Sequence, residues 1–203
     1  MIDTLPLFPL ATVLFPGGQL PLRVFEARYL DMVSSCLRSG SPFGVVCINE
    51  GGEVRRGDET VQFELLGVLA HLQEVDAETT GILRVACSGG ARFQLQSARM
   101  QADGLWLGEG ATLLADDPEL PPGEAYAGTV HALSQAIAAL DIRDPGMFPA
   151  ERRLDDAGWV ANRWCELLPI PLAARQKLMA LQDPLMRLSL VDDFLREQGV
   201  VRA

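Results

Sequence analysis

The residue types able to do chemistry are few in this chain and widely separated. His71 and His131 stand sixty positions apart, whereas a metal centre needs clustered imidazole, thiolate or carboxylate donors. The four cysteines, Cys36, Cys47, Cys87 and Cys165, form no close pair. They read as buried, reduced thiols rather than as ligands or nucleophiles. Each histidine reads as structural, His71 within a strand pattern and His131 within a helix. Sixteen arginines face the single Lys177, which follows Gln176, so a phosphate-cradling loop ending in Gly-Lys-Ser/Thr is absent. Gly108-Glu109-Gly110 lacks the third glycine of a dinucleotide loop and puts a carboxylate where phosphate would approach. No Gly-x-Ser-x-Gly elbow occurs, and a serine–lysine dyad would have to use Lys177, which reads as a solvated helix-face residue. The expectation is no enzyme activity, no metal and no cofactor.

Carboxylate pairs occur at Asp116-Asp117, Asp155-Asp156 and Asp192-Asp193. Adjacent side chains point to different sides of a helix or strand, which suits solvation or helix capping better than acid–base work. One polar constellation is placed differently. Glu26-x-Arg28 opens a helix directly after an apolar strand, beside a proline-rich entry. Its plain reading is a local ion pair worth under about 1 kcal/mol. Its functional reading, which makes Glu26 and Arg28 the candidate peptide-binding residues, is a polar rim beside a groove for an extended peptide. Arg55-Arg56 reads as a solvated basic turn.

These residues must be positioned by a chain whose period changes along its length. Residues 4–22 carry no charge, nominally enough to cross a bilayer. Pro6, Pro9, Pro16, Pro21 and Gly17-Gly18 break that run, and each interior proline would cost a helix about 3 kcal/mol. Short extended pieces broken at prolines are expected instead. With Met-Ile-Asp-Thr ahead of them and no basic leader, a signal peptide is not expected. Phe43-Gly44-Val45-Val46-Cys47-Ile48 is a continuous apolar run, as in a strand covered on both faces. Leu83, Val85 and Cys87 alternate, as do Phe93 and Leu95, with turns expected at Glu50-Gly51-Gly52, Arg56-Gly57-Asp58 and Ser88-Gly89-Gly90. One helix, at about 25–38, interrupts this region: Phe25, Tyr29, Met32, Val33, Cys36 and Leu37 share a face, and Gly40 and Pro42 end it.

The opening Leu5-Pro6-Leu7-Phe8-Pro9-Leu10, then Val13-Leu14-Phe15-Pro16-Gly17, then Leu20-Pro21-Leu22-Arg23-Val24-Phe25-Glu26-Ala27-Arg28-Tyr29-Leu30 closely resembles the start of the amino-terminal substrate-binding domain of Lon proteases. Phe63 to Ala70, Val85, Gly89, Arg92-Phe93 and the late Asp183-Pro184-Leu185-Met186-Arg187-Leu188 extend the resemblance over nearly the whole chain. It implies an α+β fold, namely a PUA-like β-barrel with one inserted helix, followed by a carboxy-terminal helical bundle. Full-length Lon proteases carry their ATPase module and serine–lysine dyad in regions that this chain lacks.

After Asp116-Asp117-Pro118-Glu119-Leu120-Pro121-Pro122-Gly123 the period becomes helical. Tyr126, Val130, Leu133, Ile137 and Leu140 follow a 4-3-4-3 spacing. A loop holding Asp144-Pro145-Gly146 follows. A second helix starts at Asp155 or Asp156, carries Trp159 and Trp164, and stops at Pro169. Pro171 opens a third, running to about Gln182. The last is capped by Asp183, with Pro184 at its first position and Gly199 past its end. Two parts are expected: a β-rich part at 1–115 and a helical part at 122–203, with Trp159 or Trp164 buried.

Composition bounds the function. The 203 residues are 48% hydrophobic with a net charge of −10, globular and too apolar for disorder. Such charge repels polyanions, so nucleic acid and anionic membranes are disfavoured partners. The resemblance implies a non-catalytic module that binds unfolded or extended polypeptide segments in the cytoplasm, in the service of a protease or chaperone. The alternatives are an RNA-binding PUA-like module, which 27 acidic against 17 basic residues oppose, and a small-molecule enzyme with an unrecognised site.

Overall fold

The computed structural model describes residues 1–52, 61–144 and 146–201, so Arg55-Arg56, the Arg56-Gly57-Asp58 turn and Pro145 lie outside the described residues. The described chain is an α+β fold with a seven-stranded mixed sheet and five α-helices. It divides into two compact units, Met1–Ala115 and Asp116–Ala203.

The first unit holds β1 (Ile2–Leu10), β2 (Gln19–Val24), α1 (Ala27–Ser39), β3 (Phe43–Glu50), β4 (Gln62–Thr79), β5 (Ile82–Gln94), β6 (Ser97–Met100) and β7 (Trp106–Leu113). The sheet order is β2-β5-β4-β3-β1-β7-β6, and β5 also pairs with β7 at Phe93↔Leu113 and Gln94↔Thr112. All pairings are antiparallel except β1 with β3. The apolar run Phe43–Ile48 is buried throughout, as its lack of polar alternation requires. Leu5, Leu7, Val46, Leu69, Phe93, Leu95 and Ala111 form one core cluster.

β1 runs unbroken through Pro6 and Pro9, where the sequence suggested shorter pieces. The strand changes neighbour half-way, which explains the tolerance. Residues 2–7 pair with β7 and residues 7–10 with β3. Each proline thus sits beside one neighbour only, and its missing donor need not break a two-sided ladder.

Ser88-Gly89-Gly90 is likewise not a turn but the middle of β5. A Cβ at Gly89 would stand 2.2 Å from the Phe15 carbonyl oxygen, and one at Gly90 would stand 2.5 Å from His71 Nε2. Both glycines serve close approach of other chain segments rather than chain reversal.

Helix α1 buries Tyr29, Met32, Val33 and Cys36, and Gly40 ends it at φ 67°. Phe25 precedes the helix and, like Leu37, is exposed, so the buried stripe is narrower than the sequence pattern suggested.

The second unit holds a 3-10 turn at Glu124–Tyr126, then α2 (Ala127–Asp141), α3 (Ala157–Leu167), α4 (Leu172–Ala180) and α5 (Pro184–Glu197). Asp156 caps α3 through Gly158 N, and Asp183 caps α5 through Leu185 N and Met186 N. Trp159 and Trp164 are both buried. The indole Nε1 of Trp164 donates to the Thr129 carbonyl at 3.1 Å. Two carboxylates depart from the solvated or capping roles expected of them. Asp192 is buried within α5, where it accepts from Thr129 Oγ1 and pairs with Arg196 Nε at 2.6 Å. Asp117 binds the fully buried Arg187 at 2.8 Å.

Candidate functional site

The two sequence candidates meet in space. Glu26 occupies the N-cap position of α1 in extended conformation, but its side chain makes no cap bond. Its carboxylate instead pairs with Arg28 Nη2 at 2.7 Å. Arg28 is the more enclosed partner, its side chain 10% exposed against 25% for Glu26. Its Nη1 donates to the Gly104 carbonyl at 2.9 Å, and its guanidinium lies 4.7 Å from the centre of the Tyr29 ring. That ring stacks on Phe8 of β1 at a centroid distance of 4.0 Å. Through these contacts Arg28 joins the start of α1 to β1 and to the turn at 101–105 between β6 and β7. Asp103 Oδ1 accepts from Leu105 N and Gly104 has φ 87°, which shapes that turn.

The ion pair links two grooves. Glu26 borders a cavity of about 340 Å³ between the end of β1 and β2, lined also by Phe8, Leu10, Leu20 and Phe25. Arg28 borders a larger one of about 570 Å³, formed by β1, α1, the α1–β3 connection and the 101–105 turn. Leu5, Pro6, Met32 and Leu105 make its apolar part, while Asp31, Ser35, Ser39, Ser41 and Asp103 supply polar atoms. Arg28 contributes little net charge here, since Glu26 answers it. The carboxylates of Asp31 and Asp103 give the groove an acidic bias. Only Glu26 and Arg28 were legible as site residues; the β1 and α1 positions of the groove carried no signal of their own. Pro6 and Pro42 are the exception in retrospect, because both lack donors where the β1–β3 ladder would next continue.

Nucleophilic chemistry finds no support at these positions. Cys36 borders the larger groove, yet burial raises its thiol pKa and so disfavours the thiolate. Burial pushes Cys47 up to about 11 and both Cys87 and Cys165 up to about 12. Glu166 is pushed up to about 7 by burial, against the pull of Arg163, but it lies in the second unit and borders neither groove. Lys177 is exposed on α4, and His131 is exposed, its ring 3.0 Å from the Gln135 amide. Among the described residues no group of three histidine, cysteine, aspartate or glutamate side chains could hold a metal ion. No described helix is long and apolar enough to cross a membrane.

Known proteins resemble this chain over most of its length. The family profile of the ATP-dependent protease La (LON) substrate-binding domain matches residues 4–197. A Lon N-terminal domain protein from Xanthomonas campestris is similar in structure, with TM-score 0.72 and 32% identity over 94% of this chain and 97% of that one. The N-terminal domain of the Mycobacterium avium complex Lon protease shares the fold at TM-score 0.61 and 19% identity, over 94% of this chain and 97% of that one. Lon protease 2 of Herpetosiphon aurantiacus is 27% identical over 199 residues, 92% of this chain but only 23% of that protein.

Proposed function

This chain belongs to the substrate-binding-domain family of the ATP-dependent protease La (LON), and we propose from that premise that it is a non-catalytic recognition module for polypeptide. It takes unfolded or extended, apolar-rich segments and performs no reaction on them. The observation that carries this reading is the groove beside Arg28, whose apolar floor and acidic rim suit a chain with alternating apolar and basic side chains. Arg28 belongs to the polar part of the groove wall, and Glu26 acts on it by holding the Arg28 guanidinium in place.

The fold reading that goes with it is a PUA-like barrel at 1–115 and a helical bundle at 122–203. The β5–β7 pairing supports the first, because the ladder β5-β4-β3-β1-β7 returns to β5. The Trp164–Thr129 bond between α3 and α2 supports the second. Four free, buried cysteines suit a cytoplasmic setting, where a protease or chaperone would receive the bound segment.

Affinity is expected on the order of micromolar or weaker, since ordering a flexible segment offsets much of the contact energy. Titration of the protein against an array of basic–apolar peptides tests the proposal, and binding should weaken as salt rises. Absence of binding across the array, or tight binding to structured RNA, would overturn it. Turnover of casein or ATP by purified protein would overturn the non-catalytic part.

A further inference from the structure

The larger groove lies beside a strand position that the sheet leaves empty. β1 pairs with β3 only from Leu7 onward, where Leu7 faces Gly44. Extending that register would place Pro6 opposite Phe43 and Leu5 opposite Pro42. Neither proline can donate a ladder bond, and the chain before Phe43 instead leads back to α1 through Ser41 and Gly40. Residues 2–6 therefore have β7 on one side and, among the described residues, no strand on the other. The groove borders that edge. Ile2, Thr4, Leu5 and Pro6 line it from β1, and Asp31, Ser35 and Ser39 line it from α1.

We infer that an extended segment of a client polypeptide adds here as a strand beside residues 2–6, in the row that β3 occupies farther along. This rests on the reading of the chain as a polypeptide-recognition module and specifies how and where it binds. A strand advances about 3.3 Å per residue, so five residues of β1 offer an edge of about 17 Å, enough for four or five residues of client. Backbone bonds give affinity without demanding one sequence, which suits a binder of varied unfolded chains. Side-chain preference comes from the wall. Met32, Leu105 and Pro6 accept an apolar side chain, and the exposed carboxylates of Asp31 and Asp103 favour an arginine or lysine on the client.

The probe is a fluorescein-labelled eight-residue peptide alternating valine and arginine, titrated against the full chain by anisotropy. Two further peptides carry N-methyl groups at the odd or at the even positions. Strand addition uses the amides of one set only, so one methylated peptide should lose binding by about tenfold or more while the other binds as the parent does. Asp31→Arg should weaken binding about tenfold, whereas Asp193→Arg, the same charge change at an exposed position of α5, should alter it less than about twofold. Ser35→Trp, at an exposed α1 position, should block the groove without unfolding the protein, which a thermal melt checks. Amide exchange should slow within residues 2–5 on peptide addition, Pro6 carrying no amide proton. Equal binding of both methylated peptides, or protection at β2 or α5 instead of β1, would overturn strand addition while leaving the recognition reading standing. No binding of the parent peptide or of the wider array would overturn both.

Discussion

Arg187 on α5 donates through Nη1 to Asp117 Oδ2 at 2.8 Å, joining residues seventy positions apart. The same guanidinium reaches Asn162 Oδ1 at 3.0 Å, the Leu178 carbonyl at 2.9 Å and the Leu181 carbonyl. It is fully buried, and Asp117 is 13% exposed. One planar side chain thus ties α3, the end of α4 and the segment before Pro118 to α5, using the fork geometry that lysine lacks.

Replacing Arg187 with Met should destabilise the protein by about 3–5 kcal/mol, because the enclosed Asp117 loses its cationic partner and the Leu178 and Leu181 carbonyls each lose a charged donor. Arg187→Lys should recover only part of that loss. Urea unfolding followed by circular dichroism at 222 nm checks both.

Gly89→Ala should be strongly destabilising although alanine is the smallest change. The added Cβ would meet the backbone oxygen of Phe15 at 2.2 Å, and a backbone atom cannot rotate away as a side chain can. Gly17 N donates to Gly89 O, and Gly89 N donates to Gly18 O, both at 2.8 Å, so the same shift strains two hydrogen bonds. A loss of at least about 2 kcal/mol is expected, measured by denaturant titration. Gly81→Ala, at a β4–β5 turn with open space around it, tests a different cost, that of φ 82° alone, expected near 1 kcal/mol.

Glu166 makes stability depend on pH in an unusual direction for a carboxylate in an ion pair. Burial pushes it up to about 7 from 4.5, even with the fully buried Arg163 at 2.8 Å. The folded state therefore holds a proton that the unfolded chain has released between these values. Its stabilising contribution is complete below about 4.5 and is lost as pH rises through 7, at up to about 1.4 kcal/mol per pH unit. Glu166→Gln should flatten that slope. Guanidinium unfolding at pH 5, 6 and 7.5 of both proteins measures it.

Arg28→Ala should loosen the 101–105 turn, since the Gly104 carbonyl loses a charged donor and Glu26 loses its partner. A cost of about 2 kcal/mol is expected, most of it from the enclosed hydrogen bond rather than the ion pair. Amide exchange at Gly104 and Leu105 should quicken more than exchange in β4. Unchanged rates there would refute the clamp.

Local chemistry was legible in the sequence. The cap at Asp183, the cap at Asp156 (one of the two positions offered, Asp155 or Asp156), the αL glycines Gly40 and Gly199 and the uninterrupted apolar run of β3 each depend on neighbours in sequence, and each appears among the positions the sequence indicated. The Glu26–Arg28 pair, two residues apart, was legible for the same reason. Features set by distant partners were not. Ser88-Gly89-Gly90 has the composition of a turn, and only the approach of Phe15 and His71 explains glycine within a strand. Asp117 and Asp192 look like surface carboxylates until Arg187 and Thr129 are brought to them. The groove was hidden most completely, because it arises where β1 changes partner.

That change of partner also dictates an order of events on the ribosome. The β4–β5 hairpin joins adjacent segments and can form as soon as both have emerged, whereas Ile2 must wait for Ala111. Through that interval residues 2–7 have their β7-side edge unpaired, and Pro6 then acts as a guard against intermolecular pairing there.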